Sequence, residues 1–461
     1  MEKSIIETQT MPEYRLLLRL SLPVILSLLF QGLYSLVDGI YLYALGEQVL
    51  SATSLAFVVQ NLATAFLSGI TIGMNATISR ALGEQAYGKA RAAVFAGILV
   101  QGIAVAGFTA FGIWGVPAYF SSTTSDAGVI ASGITYLRPC LIFTVAAAAQ
   151  ITLERLLQSV GLTSFTLISQ AVGTLVNIVL DPILIFGWLG IPAMGIEGAA
   201  VATILGQITA AAFALYFNLR KNRILFSGQS HWRDGCRLVG EICRIGLPSA
   251  TMGIAASAGN YCINWLLISS SPTSNAAFGV YTKLQSIALM PTQGFFTGLV
   301  TMIAFFYGQR NLQRMRKTLQ WGCRMIGSWS FFCACVFFFF PEALLGIFHP
   351  TEQMLQVGVP AFRIIGSTFL LSGFMMVLNA FFQAVGRSMF SLITSLSRQI
   401  FVRIPSAILL ARLSDINYIW YSWPVSEIVS DIVCIAAFVY VYRKVQTQLR
   451  QTEIVCYAGA L

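Results

Sequence analysis

Formal charge is what this 461-residue chain has least of. Asp, Glu, Lys and Arg make up 10% of it, against about 25% in a soluble domain. Hydrophobic residues make up 56%, and the mean hydropathy is +0.75. An ordinary soluble domain is therefore excluded. Histidine is nearly absent: His231 and His349 are the only two, both in polar connections. A histidine-ligated metal enzyme needs more than that. The nine cysteines include no CxxC pair, so no zinc or redox motif is expected. Cys333 and Cys335 lie in the run SFFCACVFFFF and read as small lipophilic side chains. The first residues, MEKSIIETQTMPEYR, lack a basic segment followed by a short apolar run and a small-residue cleavage site. No cleaved signal peptide is expected. With no HExxH, no paired GxGD and both histidines in loops, an intramembrane enzyme has neither metal ligands nor a nucleophile–base pair to work with.

What is abundant is apolar sequence in lengths that cross a bilayer. Turn residues and charges predict twelve helical spans, at about 14–43, 51–79, 91–117, 129–157, 164–187, 195–219, 240–268, 277–307, 319–340, 355–383, 390–412 and 417–443. Of 28 Lys and Arg, 23 fall on one side if the N-terminus is cytoplasmic. The other five, Arg138, Lys283, Arg363, Arg403 and Arg412, lie within helices or at the outer ends. By the positive-inside rule, both termini are cytoplasmic. The basic excess is thereby explained as a topology signal, and nucleic acid is not an expected partner. The expected fold class is an all-α polytopic membrane protein.

The two halves repeat at an offset of 225 residues. Arg19-Leu-Ser-Leu-Pro23 recurs as Arg244-Ile-Gly-Leu-Pro248, Gln158-Ser-Val-Gly161 as Gln383-Ala-Val-Gly386, and Gly83 as Gly308. Phe165, Leu167 and Ile168 recur as Phe390, Leu392 and Ile393, with Ser169 opposite Thr394. Each half holds an even number of spans, so both have the same membrane orientation. Two six-helix lobes about a pseudo-two-fold axis along the membrane normal are expected, with a cavity between them. The expected division is an N-terminal lobe over 1–219, a cytoplasmic linker over 220–239 and a C-terminal lobe over 240–461.

Two acids stand out against this background. Asp38 is the sole formal charge from Leu20 to Gly46, and Asp181 is the sole one from Leu156 to Ile196. A carboxylate at membrane depth costs roughly 2.5–3.5 kcal/mol even on insertion scales, and such residues mark ion or proton sites. Asp38 lies seven residues before Leu45, roughly 10 Å below the outer end of its span. Asp181 lies seven residues before Trp188, at a similar depth, and Thr203 falls six residues into the returning span. Asn177 shares a helix face with Asp181, and Gln31 and Tyr34 share one with Asp38. Pro182 has no N–H for the carbonyl of Ile178, which frees a backbone acceptor beside Asp181. Carboxylates, an amide oxygen, a hydroxyl and a free carbonyl are hard oxygen ligands that suit a hard cation such as Na⁺. Two carboxylates at one site can also share a proton. Asn177, Gln31 and Thr203 could equally be interhelical hydrogen-bond glue. Glu154 adjoins Arg155 and reads as a local ion pair. Glu427 and Asp431 share a face of the last span and are the acids available to the C-terminal lobe.

Asn177-Ile-Val-Leu-Asp181-Pro-Ile-Leu-Ile-Phe-Gly187, followed by Gly195-Ile-Glu-Gly198-Ala-Ala-Val-Ala-Thr203, resembles the multidrug and toxic compound extrusion (MATE) family. So do Val37-Asp38 with Leu45-Gly46, and Ser79-Arg-Ala-Leu-Gly83 with Gly88-Lys-Ala90. In the second half, Tyr281-Thr-Lys-Leu-Gln285, Met290-Pro291, Tyr307-Gly308 and Gln383-Ala-Val-Gly386 match the same family. The resemblance covers essentially the whole chain. It implies a two-lobe exporter that extrudes organic cations or amphipathic compounds by alternating access, in exchange for H⁺ or Na⁺. The NorM-like branch carries acids in spans seven and ten; here Ala256 stands near the first position, and span ten offers Asn379 and Gln383 but no acid. The pattern instead resembles the DinF-like branch, whose cation site uses the equivalents of Asp38, Asn177, Asp181 and Thr203.

The expected function is cation-coupled antiport of drugs or metabolites, with no cofactor other than the coupling ion. The expected partners are a small organic cation or amphipathic substrate and the lipid bilayer. A monomer in a bacterial or archaeal cytoplasmic membrane is expected. The alternative is a flippase for a lipid-linked precursor, which would use Arg138, Lys283 and Arg363 as a cationic lining.

Overall fold

In lipid a backbone must satisfy its own polar groups, and a helix does so within one segment. The computed structural model, which describes residues 10–226, 232–348, 350–412 and 416–458, is all-helical over those residues apart from turns and short connections. Lys3, His231, His349 and part of the expected linker lie outside the described residues.

Eight helical stretches are each long and apolar enough to cross a membrane, and two further crossings are helix pairs bent at a break. Spans one, two and three are Glu13–Tyr43, Glu47–Gly83 and Tyr87–Ala110, the last continued through a π-helical turn, Phe111–Gly115, into Val116–Thr123. Span four is the pair Ala127–Ile142 and Thr144–Ser159, bent by 47°. Spans five and six are Thr163–Phe186 and Ile196–Lys221. Span seven begins at Trp232 and runs to Ser270; Ser257, Asn260 and Asn264 within it dilute its hydropathy. Spans eight and nine are Pro272–Gly308 and Leu312–Phe339. Span ten is the pair Glu352–Gly366 and Phe369–Ala384, bent by 41°. Span eleven is broken into Ser388–Leu396, a π-helical segment Ser397–Val402, and Arg403–Ala411. Span twelve is Ser422–Ala458. All twelve expected spans are thus helical, and the departures are breaks and extra turns at their ends.

The repeat extends to the backbone. Spans two and eight are both 37 residues long. Non-glycine residues with positive φ close the following turns at Gln85 (57°) and Arg310 (59°), and glycines do so at Gly161 (79°) and Gly386 (77°). Spans four and ten both start on a side-chain cap. Asp126 accepts from the N–H groups of Gly128 and Val129, and Thr351 accepts from that of Met354. After each bent pair a hydroxyl ties the next helix back: Thr166 donates to the Glu154 carbonyl at 3.5 Å, and Ser391 donates to the Asn379 carbonyl at 3.2 Å. Every one of these pairs keeps the offset of 225.

The chain divides into two compact units, Met1–Met11 with Leu22–Ala250, and Pro12–Ser21 with Thr251–Leu461. In the first, Leu42, Val59, Phe120, Tyr136, Leu141 and Ile185 build a core. Spans five and six of this unit meet at glycines. A Cβ on Gly206 would lie 2.9 Å from the Gly173 carbonyl oxygen and 3.0 Å from Asn177 Cβ. In the second unit the core is aromatic: Phe278, Tyr281, Phe337, Phe362, Trp420 and Trp423 are all buried, and the Tyr281 and Phe362 rings meet edge-on at 5.7 Å.

Candidate functional site

Spans one, five and six of the first unit bring the predicted polar residues together. Asp181 is fully buried, with Asp38 at 1% and Asn177 at 3% exposure. Tyr34 Oη and Thr203 Oγ1 lie 3.4 Å apart, either hydroxyl able to donate, and this joins span one to span six. Asn177 sits between the other two groups. With its amide oriented to satisfy both ends, it donates to Asp181 Oδ2 at 3.3 Å and accepts the Thr203 backbone N–H at 3.2 Å. That orientation is an assignment from the hydrogen-bond pattern. The span-five helix continues through Pro182. Asp181 thus stands one residue before a proline, next to a carbonyl that has lost its helical donor.

Asp38 differs from Asp181. Its Oδ1 is buried and has no hydrogen-bond partner among the described residues. Asp38 and Asp181 are close enough for their charges to interact. A buried carboxylate without a donor is costly, and a proton or a metal cation is what it lacks chemically. The oxygen-rich donor set fits a hard monovalent cation, and no set of three or more His, Cys, Asp or Glu that could hold a metal ion occurs among the described residues.

Gln31 is exposed. Its carbonyl accepts from Ser35 Oγ at 3.1 Å, and among the described residues its side chain takes no part in the cluster's hydrogen bonding. Tyr136 and Cys140, one turn apart on span four, feel the charge of Asp38 although the sequence did not single them out, and Gln60 of span two lies near both. The i, i+4 spacing of a tyrosine and a cysteine just before Pro139 and after it was the available signal, and it is a weak one. Glu154 accepts from Gln150 Nε2 at 3.2 Å, while Arg155 donates to Gln158 Oε1 at 3.0 Å.

The acids of span twelve occupy a different setting. Glu427, 2% exposed, takes Arg398 at 3.2 Å and Arg403 at 3.4 Å on the same oxygen, Oε1. Arg403 is itself buried. It also donates to Gln399 Oε1 at 2.8 Å and to Ser426 Oγ at 3.3 Å, and lies 5.1 Å over the Trp423 ring. Arg403→Ala leaves Glu427 to Arg398 alone and Gln399 and Ser426 without their donor, and is expected to destabilise the protein by about 1–3 kcal/mol; Glu427→Leu, which takes the shared carboxylate from both arginines, is expected to cost about 3–5 kcal/mol. Chemical or thermal unfolding of the purified variants measures both. Equal stability of Arg403→Ala and wild type would mean that the pair is not buried as described.

Comparison with known proteins places this geometry. A family model described as MatE matches residues 23–183 and again 248–409, two matches whose starts are themselves separated by the repeat offset. An FAD transporter of Shewanella oneidensis is 23% identical over 434 residues, covering 92% of this chain and 94% of the relative. A probable multidrug resistance protein NorM of Thermotoga maritima is 24% identical over 382 residues, covering 79% and 78%. The solved structure of a MOP superfamily transporter from Pyrococcus furiosus shares the fold with a TM-score of 0.87 at 22% identity, covering 96% of this chain and 98% of that one. With both halves matched, this chain belongs to the MatE family and is a multi-pass membrane transporter rather than an enzyme.

Proposed function

We propose that this protein is a cation-coupled antiporter that exports organic cations or amphipathic compounds by alternating access, with Asp38, Asn177, Asp181 and Thr203 as its coupling site. The observation that carries the reading is the buried, donor-less Asp38 carboxylate beside the Asp181–Asn177–Thr203 cluster. Binding of H⁺ or Na⁺ supplies the partner Asp38 lacks. Tyr34, bonded to Thr203 across spans one and six, gives that event a mechanical consequence, since a change at Asp38 is felt four residues away at the Tyr34 hydroxyl. Each charge that crosses 100 mV contributes about 2.3 kcal/mol. The multidrug relatives support an export direction, and the cytoplasmic membrane with both termini inside is the orientation that the basic residues favour.

The lipid-linked precursor reading is not favoured. One of its three cations, Arg363, is neutralised by Glu342 at 3.1 Å, and the relatives include drug exporters.

Ethidium transport in everted vesicles, driven in turn by an imposed pH gradient and an imposed Na⁺ gradient, tests the proposal. One of the two gradients is expected to drive ethidium accumulation. No accumulation with either, in protein shown to be folded, would remove the antiporter reading for this class of substrate.

A further inference from the structure

Span eleven departs from its counterpart. Where span five is a continuous α-helix, span eleven turns π-helical over Ser397–Val402. Single π-turns inside helices concentrate at functional sites. The offset of 225 sets Arg398, in this segment, opposite Gly173 of span five. At Gly173 backbones pack so closely that a Cβ would lie 2.8 Å from the Gly206 carbonyl. At Arg398 a charged side chain occupies the corresponding place and reaches Glu427.

The ion pairs leave this centre unfinished on one side. Both arginines contact Glu427 through Oε1, and Oε2 is buried with no partner among the described residues. Asp431, one turn along and 5% exposed, has neither carboxylate oxygen hydrogen-bonded among them. Arg398 Nε is likewise buried and unpartnered. The groups whose charge bears on Asp431 are Glu427 on its own helix and Arg398 from the π-helical segment. Cys434 is the neighbouring thiol. Span ten packs on span twelve and carries no charged side chain over Phe369–Ala384. Tyr281 of span eight faces the Arg398, Arg403 and Glu427 end of the cluster.

We propose that Asp431 and Glu427 form a second exchangeable proton site, in the C-terminal unit, separate from the Asp38 cluster. With the proton bound, Asp431 is a carboxylic acid whose O–H can donate to Glu427 Oε2, an acceptor that the arginines hold as a carboxylate. An i, i+4 pair on a helix makes two side chains neighbours on one face, and two close carboxylates titrate as a unit that shares a proton. On release the O–H bond breaks, the proton passes to water, and the new Asp431 carboxylate is matched by Arg398, whose Nε has a donor to offer. The four groups then balance at zero net charge. Neither state leaves an isolated buried charge, which is what an exchangeable site in a membrane protein requires. The arginines fix the pair in place; Asp431 carries the proton.

Infrared difference spectra of the purified full-length protein, taken between alkaline and acidic buffer, test this directly. Asp38→Asn with Asp181→Asn removes the acids of the first site. In that background acidification should still raise a protonated-carboxyl C=O component from Asp431 beside that of the remaining acids, and adding Asp431→Asn should remove that component, with a loss of about one proton taken up per molecule. If Asp431→Asn fails to fold, Glu427→Gln in the same background should displace the band by changing the acceptor of the Asp431 proton. A band untouched by both variants overturns the proposal. So does the absence of any residual band, or a carboxylate-band change that follows added Na⁺ and not pH. Transport by the Asp38→Asn, Asp181→Asn protein is scored separately, so failure of the first site and failure of this one are distinguishable.

Discussion

Asp38→Asn is expected to leave a folded protein that no longer concentrates substrate. The change is nearly isosteric and deletes only the ability to carry a charge. One-for-one exchange of ethidium, itself a cation, for H⁺ or Na⁺ moves no net charge, so a tenfold imposed gradient of the coupling ion can sustain about 1.4 kcal/mol, roughly a tenfold concentration ratio of ethidium. The variant should fall to a ratio near unity, whichever of the two gradients drives the wild type. Stability should not fall with it. Asp38 Oδ1 has no partner among the described residues, and removing a buried unpaired acid relieves a cost. Its melting temperature should be equal or higher, the usual pattern where function is kept at the expense of stability. Asp181→Asn should also lose accumulation, but with a lower melting temperature, because Asn177 is bonded to that carboxylate. Asp126→Asn is the control: it caps span four equally well and should transport normally. Undiminished accumulation in folded Asp38→Asn would remove Asp38 from the coupling site.

The reasons why some of this was legible in the sequence are physical. Twelve spans could be read because hydrocarbon leaves helices as the only option, and each span had to be apolar over most of its length. Asp38 and Asp181 stood out because charge at depth is rare enough for a single residue to carry information. Asn177 and Thr203 followed from helical spacing and depth. Gln31, placed on the Asp38 face by the same spacing, is instead exposed, since a helix face is wide and periodicity does not say which edge of it meets a neighbour. Tyr136 and Gln60 escaped notice because neutral polar residues are ordinary in membrane helices and only contact identifies them. The π-helical segment at Ser397–Val402 was equally hidden: no proline or glycine falls within it, and span eleven was read as an unbroken helix. The sequence did contain Arg398 and Glu427, but their pairing spans two helices and had no signature in either one.

Gly206→Leu is expected to do as much damage as the loss of an acid, by a route that involves no charge. Without a hydrophobic drive between them, membrane helices associate through close packing of small residues. Spans five and six follow that rule at Gly173, Gly206 and Ala210. The added side chain would begin 2.9 Å from the Gly173 carbonyl oxygen and 3.0 Å from Asn177 Cβ. The first of these is backbone and cannot rotate away, so the helices must separate. Overpacking of this kind costs about 1–3 kcal/mol and sometimes more, and here it falls on the residue that bridges Asp181 to the Thr203 N–H. A shift well under the width of an atom is enough to break a 3.2 Å hydrogen bond. Accumulation of ethidium should therefore be lost together with a fall in melting temperature, and Gly206→Ala should show a smaller fall. Gly102→Leu, at a helical glycine with nothing within 4 Å, should change neither. The two failures then separate the roles: Asp38→Asn removes transport at full stability, and Gly206→Leu removes transport by moving Asn177. If Gly206→Leu melted and transported as wild type, spans five and six could not meet at these glycines. The bridge from Asp181 to Thr203, and the coupling site built on it, would then need a different geometry.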